Sequence, residues 1–94
     1  MAVGDVVNGI SGANAILDFQ PAAGVECVIT CTWGLLAGGQ PLLYNGSNQT
    51  NAVNTATESP LYWNVKIFIN NTNYLRIPAQ GAGTRSGYTG LQIK

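Results

Sequence analysis

The side chains that could carry out chemistry in this chain of 94 residues are few and dispersed. There is no histidine, which leaves four carboxylates and two cysteines as candidates. Catalysis needs an activated group with a partner close in space, and zinc or calcium sites need ligands in paired or alternating spacing. The candidates show neither pattern, so we predict no enzymatic activity, no metal and no cofactor. They are Asp5, Asp18, Glu26, Cys27, Cys31 and Glu58.

The two cysteines lie in a segment rich in β-branched residues, 25–33, which predicts a strand. Four positions along a strand span about 13 Å, about twice the Cα separation that a disulfide allows. Alternation places Cys27 and Cys31 on the inner face with Ile29 and Trp33, and the two threonines of the segment on the other face. We interpret the cysteines as small buried apolar groups; the alternative is a redox or metal role.

Two other groupings of candidate residues have simpler explanations. Asp18 and Glu26 flank a predicted turn at 21–24, and a carboxylate pair there could imitate that of a glycosidase. We interpret them instead as solvated side chains on an outward face. The Gly-rich loop 79–87 contains Arg85 but precedes a predicted strand, whereas phosphate loops precede a helix. We expect a flexible connection there.

The elements that must position these residues are strands, because apolar and polar residues alternate and helical periodicity is weak. The turn at 21–24 predicts a hairpin between the first two strands. Asn45–Gly46 is the strongest short hairpin-turn signal, although 45–59 is typical of a long polar loop. The predicted strands are 15–20, 25–33, 42–44, 61–70, 74–77 and 88–93.

These features predict an all-β fold, a single small antiparallel β-sandwich or barrel that is jelly-roll-like and has about six to seven short strands. One domain covers 1–94, since the chain has no room for a second core. Residues 1–10 are apolar among glycines. They predict either an extra edge strand or an arm that reaches a neighbouring molecule.

Charge is scarce: four basic and four acidic residues leave a net charge of zero, whereas about a quarter of the residues of an ordinary domain are charged. Nucleic-acid binding needs a basic stripe, and a membrane span needs about 18 consecutive apolar residues. We predict neither partner, and no signal peptide. Small domains gain stability from disulfides, metals or oligomerisation. Only oligomerisation remains, so we predict a homo-oligomer, with a trimer as the first hypothesis.

Carbohydrate binding is an alternative that the composition supports. Sugar sites combine aromatic faces with amides and hydroxyls, and the segments 44–49 and 61–70 supply all three. The same residue types also form any β surface of low charge. The candidates for glycan binding are Tyr44, Asn45, Asn48 and Asn64.

Two C-terminal segments carry a resemblance to a known class of proteins. The segment 68–77, the Gly-rich loop after it and the segment 88–94 resemble small virion structural proteins of tailed phages, especially cyanophages. The segments 4–10 and 19–26 are similar as well, and 34–60 is unmatched. The resemblance implies a capsid decoration (cement) protein or a component of a fibre or tail, and it carries over no catalytic residues.

The resemblance and the composition together predict a non-enzymatic virion protein, made in the host cytoplasm, that bridges and stabilises shell subunits. Its partners would be copies of itself and a major capsid or other virion protein. The alternatives are a glycan-binding module of a phage fibre or tail and, in a third class, a cytoplasmic accessory domain of an enzyme. Aromatic residues opposite the core and the apolar N-terminal segment are the candidates for the interface. They are Val3, Val6, Val7, Ile10, Tyr62, Phe68 and Tyr74.

Overall fold

Eight strands and no helix form in the part of the chain that the computed structural model describes, residues 2–34, 40–53, 61–79 and 85–94. Much of the predicted Gly-rich loop and the second half of the predicted polar loop lie outside these residues. The strands are β1 Val6–Ile10, β2 Leu17–Phe19, β3 Cys27–Gly34, β4 Leu42–Tyr44, β5 Gln49–Asn51, β6 Leu61–Ile69, β7 Tyr74–Ile77 and β8 Gly87–Gln92.

The strands form two antiparallel sheets of four strands, sheet A in the order β1-β8-β3-β6 and sheet B in the order β2-β7-β4-β5. Within them β1 pairs with β8, β2 with β7, β3 with β6 and β4 with β5, as in one long hairpin that has been rolled up. This is the jelly-roll arrangement. The predicted antiparallel sandwich is confirmed, with eight strands rather than six or seven.

The N-terminal segment supplies one of the additional strands. Val6–Ile10 forms an edge strand of sheet A and pairs along its whole length with β8. The other addition is β5, which lies inside the segment predicted to be a polar loop. Gly46 allows the turn that joins it to β4, because its φ of +93° suits glycine.

The core lies between the inner faces of the two sheets. Most of the buried apolar side chains of the core come from sheet A, including Ile29 and Ile69. Sheet B contributes Leu75 and Ile77. The rings of Phe19 from sheet B and Tyr88 from sheet A stack with centroids 4.9 Å apart. Burial raises the pKa of the Tyr88 hydroxyl and of the Cys27 thiol, so both groups stay neutral in the core.

The predicted hairpin between the first two strands is wrong. The turn forms where the residues predict it, with the N–H of Val25 donating to the carbonyl of Ala22 at 3.0 Å. However, the chain crosses there from one sheet to the other, because β2 pairs with β7 while β3 pairs with β6 and β8. Two groups hold the crossing: the Asn71 amide donates to the Pro21 carbonyl at 3.0 Å, and Glu26 N–H donates to the Lys94 carbonyl at 2.9 Å.

A β-bulge reverses the facing of β3 halfway along its length. Ile29 pairs with Gly90 and Cys31 pairs with Thr89, so no residue of β8 stands opposite Thr30 in the register. Before the bulge, Cys27 and Ile29 face inward as predicted. After it, the prediction that Cys31 and Trp33 face the core is wrong, because one extra residue turns every later side chain to the opposite face.

The residue that faces the core in their place is a threonine. Thr32 is 0% exposed, and its hydroxyl donates a hydrogen bond of 2.9 Å to the Gly87 carbonyl in the neighbouring strand. A buried hydroxyl is tolerated only when it has such a partner. The hydrogen bond therefore makes the reversed register possible.

We expect Thr32→Val to destabilise the domain by about 1–2 kcal/mol, because valine keeps the shape but leaves the Gly87 carbonyl without its donor. The melting temperature should fall by roughly 4–8 °C for each kcal/mol. Thr30→Val is the matched control. Its side chain is exposed and lies 3.4 Å from its acceptor, the Thr89 carbonyl, so its effect should stay below about 0.5 kcal/mol. Equal effects of the two substitutions would contradict the bulge.

Candidate functional site

A row of apolar side chains crosses all four strands on the outer face of sheet A. The register aligns Val6 with Leu91, Leu91 with Val28, and Val28 with Phe68. Val6 is 66% exposed and Phe68 is 64% exposed, and Leu91 between them is also exposed. The row is therefore a continuous apolar surface with no cover in the described residues.

A second apolar row runs parallel to the first, about four residues further along the strands. It aligns Ile10 with Gly87, Gly87 with Trp33, and Trp33 with Tyr62. The indole of Trp33 lies directly against Gly87, where any Cβ would collide with the ring. Ile10 and Tyr62 at the two ends are 73% and 68% exposed.

Between the two apolar rows lies a polar row without charge. It aligns Asn8 with Thr89, Thr89 with Cys31, and Cys31 with Asn64. Lys66 is the only charged residue in the four strands of sheet A. The outer face of sheet A thus consists of two apolar rows around a polar row, with the exposed Lys66 between Phe68 and Asn64 as the single charged residue of the four strands.

One depression on this face is large enough to receive a side chain from a partner. It has a volume of about 320 Å³ and lies beside the second apolar row. It is lined by Asn8, Gly9, Ile10, Trp33, Tyr88 and Thr89.

The structure brings four of the seven predicted interface residues together on this face: Val6, Ile10, Tyr62 and Phe68. Val3 is exposed but precedes β1, Val7 is buried in the core, and Tyr74 lies on sheet B. Sequence reasoning missed Val28, Leu91 and Trp33. The alternation around them was visible, but it did not reveal which face was the inner one.

The outer side of sheet B carries a cluster of aromatic and charged side chains instead. Arg76 donates two hydrogen bonds to the Asp18 carboxylate, at 2.7 and 2.8 Å, and this pairing raises the pKa of Arg76. The guanidinium carbon lies 3.8 Å from the centre of the Tyr44 ring, and Tyr74 meets Tyr44 edge to face at 5.6 Å. Asp18 is thus an ion-pair partner across two strands, and the structure pairs it with Arg76 rather than with Glu26.

The predicted glycan-binding residues do not all lie together. Tyr44, Asn45 and Asn48 line a shallow pocket of about 180 Å³ at the β4–β5 end of sheet B. Asn64 lies in the polar row of sheet A. The other residues that line the pocket are Leu43, Gln49, Thr50 and Asn73.

Within the described residues, no three of the acidic and cysteine side chains cluster as metal ligands would, and no helix is long and apolar enough to cross a membrane. Comparisons with protein-family models, curated proteins and solved structures found no match to the chain.

Proposed function

We propose that this protein is a non-enzymatic virion structural protein, a capsid decoration (cement) protein of a tailed phage that works as a homo-oligomer. The observation that carries the proposal is the outer face of sheet A. The largest apolar patch on a typical soluble monomer covers about 300–600 Å² and is often an interaction site. We assign this face to contact with a neighbouring subunit of the shell.

The chemistry of the face suits burial against another protein. Uncharged polar groups lose their water at a lower cost than charged ones, and the strands of sheet A contain a single charge, on Lys66. Aromatic side chains anchor protein interfaces, and Trp33, Tyr62 and Phe68 supply three of them. The depression beside Ile10 offers a place for an apolar side chain of the partner.

The size of the face explains why many copies would be needed. Four strands about 4.8 Å apart, with five residues at about 3.3 Å each, give a projected area on the order of 300 Å². A stable pairwise complex buries about 800 Å² on each partner. One such contact is weak, but several contacts made by one oligomer add up through their high effective concentration. The small face therefore favours a decoration protein that binds the shell as an oligomer.

The fold supports the proposal by analogy. Jelly rolls recur in viral capsid proteins and in lectins, although one fold serves many functions. The resemblance of 68–77 and 88–94 to phage virion proteins points to the first of these uses.

The test is whether the protein binds particles of the phage that encodes it, and in what number. We expect it to sediment with particles at a copy number comparable to that of the shell subunit, and particles without it to open at a lower temperature. Copy number can be measured by quantitative mass spectrometry, and opening by the release of DNA to a dye. A protein that stays monomeric and does not sediment with particles would overturn the proposal.

The two cysteines provide an independent measurement of the contact surface. Cys31 lies in the polar row and is partly exposed, whereas Cys27 is buried with a raised pKa and should be unreactive in every state. We expect binding to particles to slow maleimide labelling of Cys31 at least ten-fold. An unchanged rate in the bound protein would show that another surface makes the contact.

A further inference from the structure

We propose that the β4–β5 end of sheet B is a binding site for a neutral saccharide, one sugar ring or the end of a chain. This site is separate from the outer face of sheet A and does not depend on the role proposed for that face. The described part of the chain gives the pocket one aromatic residue, Tyr44, together with a set of amides and a hydroxyl. These are Asn45, Asn48, Gln49, Thr50 and Asn73.

Two turns of the same construction border the pocket. In the first, the Asn45 side-chain oxygen accepts hydrogen bonds from the N–H groups of Ser47 and Asn48, at 2.9 and 2.7 Å. In the second, Asn70 does the same for Thr72 and Asn73, at 3.0 and 2.8 Å. Both turns begin with asparagine and place another asparagine, Asn48 or Asn73, beside the pocket.

These hydrogen bonds fix the backbone of both turns before any ligand arrives. Asparagine stabilises such turns by accepting from backbone N–H groups two and three residues ahead. In each turn the first and fourth residues are also joined through their backbones, at 3.1 Å from Asn45 to Asn48 and at 2.9 Å from Asn70 to Asn73. A site built from fixed groups loses little entropy when a ligand binds.

The aromatic residue of the pocket is fixed as well. Arg76 lies over the Tyr44 ring, and Asp18 holds Arg76 in place through two hydrogen bonds. Tyr74 packs against the Tyr44 ring through its edge. Tyr44 also lines the pocket, so its ring is available to pack against the C–H groups of a sugar.

The charge and donor pattern of the pocket determines the class of ligand. None of its lining residues is charged, and the charge of Arg76 is balanced by Asp18. Phosphates and uronic acids bind most strongly to cationic side chains, and none of the lining residues is one. Amide groups both donate and accept hydrogen bonds, which matches the hydroxyl groups of a neutral sugar. The geometry and the charge therefore agree on an uncharged, polyhydroxylated ligand.

The volume of the pocket limits the size of that ligand. At about 180 Å³ it is smaller than the roughly 300–1,000 Å³ of ordinary small-molecule sites. One ring can enter, and binding of a single ring should be weak, with a Kd on the order of 1 mM or above. An oligomer would strengthen binding by engaging several sugar ends of one polysaccharide.

The test uses glucose, galactose and mannose as probes in saturation-transfer difference NMR, which detects weak ligands and is most sensitive for large assemblies such as the oligomer. We expect transfer to at least one of these hexoses and none to glucuronic acid. Asn48→Ala should reduce the signal at least five-fold, and so should Gln49→Ala in the neighbouring strand. Asn48→Ala should leave the turn intact, because the hydrogen bonds of the turn use only the backbone of that residue.

Asn64→Ala is the matched control, since it removes the same side chain from the outer face of sheet A and should leave the signal unchanged. No transfer to any of the three hexoses would overturn the proposal. So would a signal that persists in both Asn48→Ala and Gln49→Ala, or one that is lost in Asn64→Ala. Sedimentation of Asn48→Ala with phage particles should remain normal, so the two proposed surfaces can fail separately.

Discussion

Replacing Gly90 with alanine is expected to destabilise the domain severely. Gly90 lies in β8 between Val7 of β1 and Ile29 of β3. A Cβ at this position would collide with the carbonyl oxygen of Val28 and would lie 2.9 Å from the Cα of Ile29. Both obstacles are backbone atoms, so a change of side-chain rotamer cannot relieve the collision. β3 and β8 would have to separate at the centre of sheet A.

The expected cost is on the order of 3 kcal/mol or more, out of a total stability of about 5–15 kcal/mol for a typical domain. The melting temperature should fall by more than about 12 °C, or the protein should be recovered only in insoluble form. The measurement is thermal unfolding followed by circular dichroism, together with the soluble yield.

Gly12→Ala is the control for the loss of a glycine as such. A Cβ at Gly12 would lie 3.7 Å from its nearest neighbour, the Cβ of Ala15, which is an ordinary contact. This variant should melt within a few degrees of the original protein. If Gly90→Ala also melted within that range, β3 and β8 could not approach each other as closely as the structure shows.

The bulge in β3, opposite Gly90, shows why the sequence predicts the fold class but not which face of every strand is the inner one. Alternation over long segments identifies strands, and short turns rich in Gly, Asn and Pro identify a sandwich. A bulge adds one residue without any distinctive side chain. Thr30 and Thr32 are the same residue type, yet the first is the extra residue of the bulge and the second is buried. The bulge is accompanied by the close approach of Gly90 to the backbone of Val28 and Ile29. Gly90 lies 60 residues after Thr30 in the chain, so no local pattern connects the two.

The pairing of the strands could not be predicted from the sequence for a different reason. Proline and glycine at 21–24 predict that the chain changes direction there, and Gly24 does adopt a positive φ of 83°. These residues do not show whether the next strand pairs with the previous one or joins the opposite sheet. In a jelly roll, strand partners are nested, and β2 finds its partner β7 more than 50 residues later. Long-range pairing of this kind leaves no local signal.

The candidate surfaces could be predicted only in part, because the alternation within one strand does not show which of its faces is the core. Strand β6 has large apolar side chains on both faces, which indicates that its outer face contacts another molecule. Tyr62 and Phe68 were predicted as interface residues on this basis, and both are exposed. Leu91 lies between Gly90 and Gln92 as a core residue could, and Val28 lies in a continuous apolar segment with Cys27 and Ile29. Both lie on the outer face, because their chain neighbours Gly90 and Ile29, which pair with each other, face the core. Which face is the core is decided by the whole sandwich, not by one strand.

Replacing Ile10 with aspartate is expected to remove most of the affinity for phage particles while leaving the fold intact. Ile10 is 73% exposed at the edge of the second apolar row, so the free protein loses little by the change. Burying one isoleucine contributes about 1.5–3 kcal/mol, and an aspartate in its place must also give up its water. The loss should be at least ten-fold for each contact, and greater for an oligomer that makes several contacts. Sedimentation at a series of protein concentrations measures it.

Ile16→Asp is the matched control, because Ile16 is also an exposed isoleucine, at 57%, but lies outside the strands of sheet A. It makes the same change in charge and in apolar area, so it should leave particle binding unchanged if only the outer face of sheet A is covered. Phe68→Asp tests the first apolar row and should act as Ile10→Asp does, since the two rows belong to one contact surface. Equal losses in Ile10→Asp and Ile16→Asp would mean that general hydrophobicity or charge drives the association. A loss in only one of Ile10→Asp and Phe68→Asp would restrict the contact to one half of the face, and the projected area of the interface would have to be halved.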